Sequence, residues 1–111
     1  MEEVLYDTSA LIDHLKRGEK SVKGFTTILN VVEFPKALDL KGLGIIYPTV
    51  EDYDEAVKMA IGLLNMGKPM PAVDILIGAV CLRRGLTLVT ADAHFKHIKS
   101  MRNELRLKLT A

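Results

Sequence analysis

The chain is poor in cysteine and in aromatic side chains: it has a single Cys, Cys81, no Trp, three Tyr and three Phe. One thiol makes neither an internal disulfide nor a Cys-based zinc site, and it fits a reduced intracellular compartment. An aromatic fraction of 5% argues against a platform that reads bases by stacking them on several rings. No stretch approaches about 18 apolar residues without a charge, so no membrane-crossing helix is expected. The opening Met1-Glu2-Glu3-Val4 has neither the basic start nor the apolar stretch of a secretory signal. An excess of one charge is missing too. Fifteen Lys and Arg stand against 14 Asp and Glu, a net +1 that neither demands nor forbids a nucleic-acid partner.

What is present is ordinary globular usage. A composition 49% hydrophobic and 26% charged excludes disorder and low complexity. A length of 111 residues allows one domain, 1–111, large enough to bury a core without disulfides. The expectation is a single cytoplasmic domain. Local charge is uneven: Lys16, Arg17, Lys20 and Lys23 flank Glu19, and Lys96, Lys99, Arg102, Arg106 and Lys108 are opposed by Glu104 alone. Solvated faces are the ordinary reading of such runs.

Along the chain, strand and helix patterns alternate. Val4-Leu5-Tyr6 is a short strand that stops at Asp7, and Leu11, Ile12 and Leu15 then fall at helical spacing up to Arg17-Gly18. A basic linker runs to Gly24, Phe25–Leu29 reads as a strand, and Asn30 opens a helix toward Leu40 with Pro35 as a kink. Gly42 and Gly44 break the chain before a strand at Ile45-Ile46-Tyr47. Thr49-x-x-Asp52 resembles a capping box opening a long helix with Val57, Ala60, Ile61 and Leu64 on its apolar face. Ala72–Arg84 is an apolar helix closed by Gly85, Leu86–Val89 a strand, Asp92 a helix start, and Leu105, Leu107 and Leu109 alternate like a half-exposed strand. This order predicts an α/β fold, a mostly parallel sheet with helices on both faces.

Ligands of open α/β sheets gather beyond the carboxyl ends of the strands, so the residues leaving each strand matter. Asp7 leaves the first, Asn30-x-x-Glu33 the second and Thr90-Ala91-Asp92 the fourth, while Asp74 lies in the first turn of the apolar helix. Taken singly, each acid has a plain explanation as a helix cap or a partner of the helix dipole. Taken together, they crowd carboxylates into one crevice, where like charges raise one another's pKa. A hard divalent cation relieves that repulsion, and carboxylate oxygens are the ligands that Mg²⁺ or Mn²⁺ takes.

Four segments carry a family likeness: Leu5-Tyr6-Asp7-Thr8-Ser9-Ala10-Leu11-Ile12, Asn30-Val31-Val32-Glu33-Phe34, Ala72-Val73-Asp74-Ile75-Leu76-Ile77-Gly78-Ala79 and Leu86-Thr87-Leu88-Val89-Thr90-Ala91-Asp92-Ala93-His94-Phe95. In order and spacing the chain resembles a PIN domain over nearly its whole length, and among these it is most similar to the small prokaryotic VapC-like kind. The resemblance implies a three-layer sandwich with about five strands, an acidic site for Mg²⁺ or Mn²⁺, and metal-dependent endoribonuclease activity. It also implies a toxin that pairs with an antitoxin protein and forms a homodimer. The family's acidic quartet carries over onto Asp7, Glu33, Asp74 and Asp92, with Thr8 and Thr90 as supporting hydroxyls and Ser9 among the small polar residues after the first acid. One departure is His94, where many relatives have a further acid.

On this reading Asp7, Asp74 and Asp92 are direct ligands, and Glu33 is a ligand or a holder of the metal's water. Lys96 and Lys99 would hold RNA phosphates beside the acidic crevice. His94 and His97, three apart, are read as surface residues rather than a transition-metal pair. Cys81 is read as a buried small hydrophobe. Met59, Met66, Met70 and Tyr53 are read first as packing and second as a dimer surface or partner groove. The competing classes are a PIN-fold scaffold that binds RNA or protein without cutting, a solitary RNA-processing nuclease, and a DNA-directed nuclease. A phosphoacceptor receiver domain lacks its adjacent acids here, since the chain reads Tyr6-Asp7-Thr8. An Asp-x-Asp phosphatase fails at Ser9.

Overall fold

The computed structural model describes residues 2–110. Its elements are β1 (Val4–Tyr6), α1 (Thr8–Lys16), β2 (Ser21–Thr27), α2 (Ile28–Glu33), a 3₁₀ turn at Pro35–Asp39, β3 (Lys41–Ile46), α3 (Val50–Asn65), α4 (Ala72–Arg84), β4 (Thr87–Thr90), a second 3₁₀ turn at Ala93–Phe95, α5 (Lys96–Met101) and β5 (Arg106–Leu109). The five strands form one sheet in the order β3-β2-β1-β4-β5, and every neighbouring pair is parallel. The chain winds outward from β1 through β2 to β3, then returns to place β4 on the other side of β1. That reversal opens a crevice beyond the carboxyl ends of β1 and β4.

A core layer lies on each face of the sheet. On one face Leu5, Ile77, Val80, Leu88, Phe95 and Ile98 pack with Met59 and Leu63; on the other, Leu11, Val31, Ala37 and Leu40 close a smaller cluster. Helix α4 is apolar nearly all round because it is buried from Ile75 to Cys81. Gly85, at φ 65°, ends it in the left-handed conformation that a C-cap favours. Cys81 is fully buried in this helix, and burial pushes its thiol pKa up to about 12, so it is an inert core residue.

The expected capping box at Thr49 and Asp52 is present, each side chain bonding the other's backbone N–H. Asp52 is also completely buried and accepts hydrogen bonds from Arg83 at 2.9 Å and from Arg84 at 2.7 and 2.9 Å. Burial alone would raise its pKa; the bonds from Arg84, Thr49 and Arg83 outweigh it and hold the carboxyl well below the usual range. One acid thus caps α3 and ties it to the carboxyl end of α4.

Three expectations need correction. Helix α2 starts at Ile28, capped by Thr27 with Asn30 as its reciprocal partner, and it stops at Glu33. Phe34, which precedes Pro35, is driven out of the helical region to φ −142°, and Pro35 starts the 3₁₀ turn instead of kinking one helix. Strands β2 and β3 begin earlier than composition suggests, because Gly24, Gly42 and Gly44 lie inside them rather than before them. A Cβ on Gly44 would stand 2.7 Å from the Phe25 ring, so the pairing of these strands requires the missing side chain. Helix α3 turns the other way: Met59 and Leu63 are buried, whereas Val57, Ile61 and Leu64 of the expected core face are 59%, 56% and 65% exposed.

Candidate active site

The crevice is lined from four separate elements. Asp7 follows β1 directly and Asp92 follows β4 after one residue, both because short parallel strands end there. Glu33 is the last residue of α2, and Asp74 sits in the first turn of α4, whose N-terminus points at the same edge.

Asp7 is only 7% exposed and is fixed by three donors. The Thr90 hydroxyl donates to its Oδ2 at 2.8 Å, the Ser9 hydroxyl reaches the same oxygen at 3.4 Å, and the Asn30 amide Nδ2 donates to Oδ1 at 3.2 Å. Thr90 Oγ1 in turn accepts the Asp92 N–H at 3.0 Å, and Ser9 Oγ accepts the Ala91 N–H at 3.0 Å. The turn that carries Asp92 is therefore stitched to the turn that carries Asp7. On the other side, Asn30 Nδ2 donates to Thr8 Oγ1 at 2.9 Å, and the Thr8 hydroxyl donates to Glu33 Oε1 at 3.2 Å. The two expected supporting hydroxyls are in contact with quartet members. The sequence already marks Asn30 by its position one turn before Glu33, but its bonds to Asp7 and Thr8 are visible only in the fold.

Asp74 feels all the other acids. Its pKa rises from 3.8 to about 6, first through burial and then through the charges of Asp7, Asp92 and Glu33, with His94 opposing weakly. Among the described residues no hydrogen bond offsets that rise. Asp92 behaves oppositely: the His94 N–H, and secondarily the His94 ring, hold it below the ordinary carboxylate range against its partial burial. His94 Nδ1 lies 2.9 Å from Asp92 Oδ1, so His94 gives Asp92 a hydrogen-bonding partner where a carboxylate would add to the crowding. Its ring also meets His97 edge to face, and the Nδ1 of His97 is buried without a partner among the described residues.

The donor set suits a hard divalent cation, being all carboxylate with one member destabilised by the rest. Among the described residues no three His, Cys, Asp or Glu side chains are gathered tightly enough to grip an ion as they stand. The acids meet at electrostatic range rather than in contact.

Of the two lysines expected on substrate, Lys99 is committed elsewhere. Its ammonium donates to the carbonyls of Asn103 at 3.0 Å and Leu105 at 2.6 Å, holding the turn between α5 and β5. Lys96 is exposed at the start of α5, two residues beyond His94. Arg102 pairs with Glu55 at 2.7 Å.

No protein-family model matches the chain, and no curated protein matches it in sequence. Solved structures do match. A chain of the DNA-bound VapBC structure from Salmonella typhimurium superposes with a TM-score of 0.79 at 16% identity, over 97% of this chain and 98% of that one. One from VapBC2 of Rickettsia felis, bound to a fragment of its promoter DNA, gives 0.78 at 17% identity over 96% and 97%. One from VapBC-5 of Mycobacterium tuberculosis gives 0.76 at 17% identity over 99% and 100%. Across nearly its full length, the chain has the PIN-like α/β fold found in these toxin–antitoxin structures.

Proposed function

We propose that this chain is a VapC-like endoribonuclease, the toxin of a toxin–antitoxin pair, which hydrolyses RNA phosphodiester bonds with Mg²⁺ or Mn²⁺. The observation that carries the reading is the convergence of Asp7, Glu33, Asp74 and Asp92 from four separate elements on the switch crevice, near enough that the other three raise the Asp74 pKa. Structural carboxylates are usually placed to avoid such repulsion. Functional ones accept it because a counter-charge arrives with the ligand.

Asp7, Asp74 and Asp92 would be the ligands, and Glu33 a further ligand or the group that orients the attacking water. A divalent cation held there supplies an activated water and offsets the charge that grows on the phosphate. The protein's own part is orientation. Thr90, Ser9 and Asn30 fix the Asp7 carboxylate, His94 fixes Asp92, and Thr8 fixes Glu33. Lys96, exposed at the start of α5, would draw the RNA backbone to an edge that otherwise repels it.

The proposed partners are argued from helix α3. Val50, Tyr53, Val57, Ile61 and Leu64, all more than half exposed, form a stripe along it. Beside them Ala56, Ala60, Ala72 and Val73 line an apolar groove of about 360 Å³. Stripes of this kind mark association surfaces. A second copy of the chain would cover α3, in keeping with a homodimer, and an antitoxin protein would be the regulating partner.

The test is cleavage of an end-labelled single-stranded RNA with Mg²⁺, Mn²⁺ or EDTA, beside an Asp74→Asn sample prepared identically. Metal-dependent cutting that Asp74→Asn abolishes is the expected result. A folded wild type that cuts nothing would shift the reading to a scaffold or to a highly selective target, and equal cutting by both samples would mean contamination.

A further inference from the structure

Asn30 is completely buried, yet it stands on a helix of six residues at the rim of the crevice. Its carboxamide uses all of its geometry. Oδ1 accepts from the Thr27 hydroxyl at 2.7 Å and from the Thr27 N–H at 3.3 Å, which closes the cap of α2. Nδ2 faces the other way and splits its donors between Asp7 Oδ1 at 3.2 Å and Thr8 Oγ1 at 2.9 Å. Because Thr8 then donates to Glu33, one amide joins two acids that lie on different elements. Capping needs only the oxygen. The nitrogen half serves the acids alone.

We infer that Asn30 is a positioning residue, whose Nδ2 sets the orientation of Asp7 directly and of Glu33 through Thr8, so that both carboxylates are ready for a divalent cation. The inference rests on the metal-site reading above. An amide suits the task better than a carboxylate or hydroxyl would. It carries two N–H donors and no charge, so it can bond both Asp7 and a hydroxyl without adding to the repulsion already felt by Asp74. It also leaves the Thr8 proton free to point at Glu33, giving the relay a fixed direction.

The experiment compares wild type, Asn30→Leu and Thr27→Val. Both variants remove the bond from the Thr27 hydroxyl to Asn30 Oδ1 and so weaken the cap, but only Asn30→Leu removes the donor to Asp7 and Thr8. Thermal melting measures the cap, calorimetric titration with Mn²⁺ measures the site, and RNA cleavage is followed in parallel. Asn30→Leu should weaken Mn²⁺ binding by about 10–100-fold, while Thr27→Val lowers the melting temperature and leaves Mn²⁺ affinity within about twofold of wild type. Unchanged Mn²⁺ affinity in Asn30→Leu, or an equal loss in Thr27→Val, would overturn the inference. A wild type that binds Mn²⁺ without cutting RNA would shift the functional reading to a scaffold or to a highly selective target and leave Asn30 judged by binding. A wild type that binds no Mn²⁺ overturns both. Should Asn30→Leu fail to fold, the side-chain amide signals of Asn30 in the ¹⁵N spectrum of the wild type decide. They should shift as Mg²⁺ is added, and signals that stay in place through saturation would count against the proposal.

Discussion

A single carboxyl, Asp74, sets the expected pH behaviour of the site. Its pKa is higher in the folded chain, about 6, than its ordinary 3.8. Between those values the folded protein holds a proton that the unfolded chain has released, so this residue makes stability fall as pH rises through that window. Without metal, Asp74→Asn should therefore melt above wild type at pH 8, and the two should converge near pH 4. Melting curves in EDTA at both pH values check this, and coincident curves at pH 8 would remove the argument. Adding Mg²⁺ at pH 8 should raise the melting temperature of wild type and not of Asp74→Asn, because only the form that binds gains stability from the ligand. Lys96 and Lys99 should separate in their effects. Lys96→Ala is expected to weaken RNA binding and flatten its salt dependence by about one counterion. Lys99→Ala should chiefly loosen the turn before β5, and equal salt slopes for the two variants would contradict this division.

Among the elements, α3 and α4 depend on one another through Asp52. Removing one partner from a buried ion pair costs about 3–5 kcal/mol, so Asp52→Ala should lower the melting temperature by more than about 10 °C. A loss no larger than that of an exposed cap would show that the two arginines contribute little. The same elements show what was legible in the sequence. Helix α4 was, because an apolar run bounded by Pro71 and Gly85 has one physical outcome. The cap at Thr49 was too, since it is a local bond pattern. The orientation of α3 was not: two apolar stripes run along this helix, and periodicity cannot say which one the sheet covers. Glycines misled for a related reason, since Gly44 marks a close approach to Phe25 that exists only once the strands pair. Asp7 and Asp92 stand out in the sequence by their place just past β1 and β4, and Asn30 by its place in Asn30-x-x-Glu33, whereas the bonds of Asn30 to Thr8 and Asp7 join residues 22 and 23 positions apart and leave no local signal.

For the whole molecule, the exposed α3 stripe predicts assembly. Val57→Asp and Ile61→Asp should convert an associated species to monomer in light scattering while the metal-binding edge stays intact, and a wild type that is monomeric at all concentrations would contradict the dimer. The parallel sheet carries one more consequence. Asp7 and Thr90 share a hydrogen bond across 83 positions, and β1, three residues long, finds a central place only when β4 pairs beside it. Such distant pairings form late and slowly. A ribosome that has made β1, α1, β2 and α2 has already built Asp7 and Glu33 into the chain, yet the nascent chain cannot close its acidic edge until Thr90 and Asp92 have followed. On the nuclease reading, the cell making this protein is spared from it during synthesis by the order of the strands.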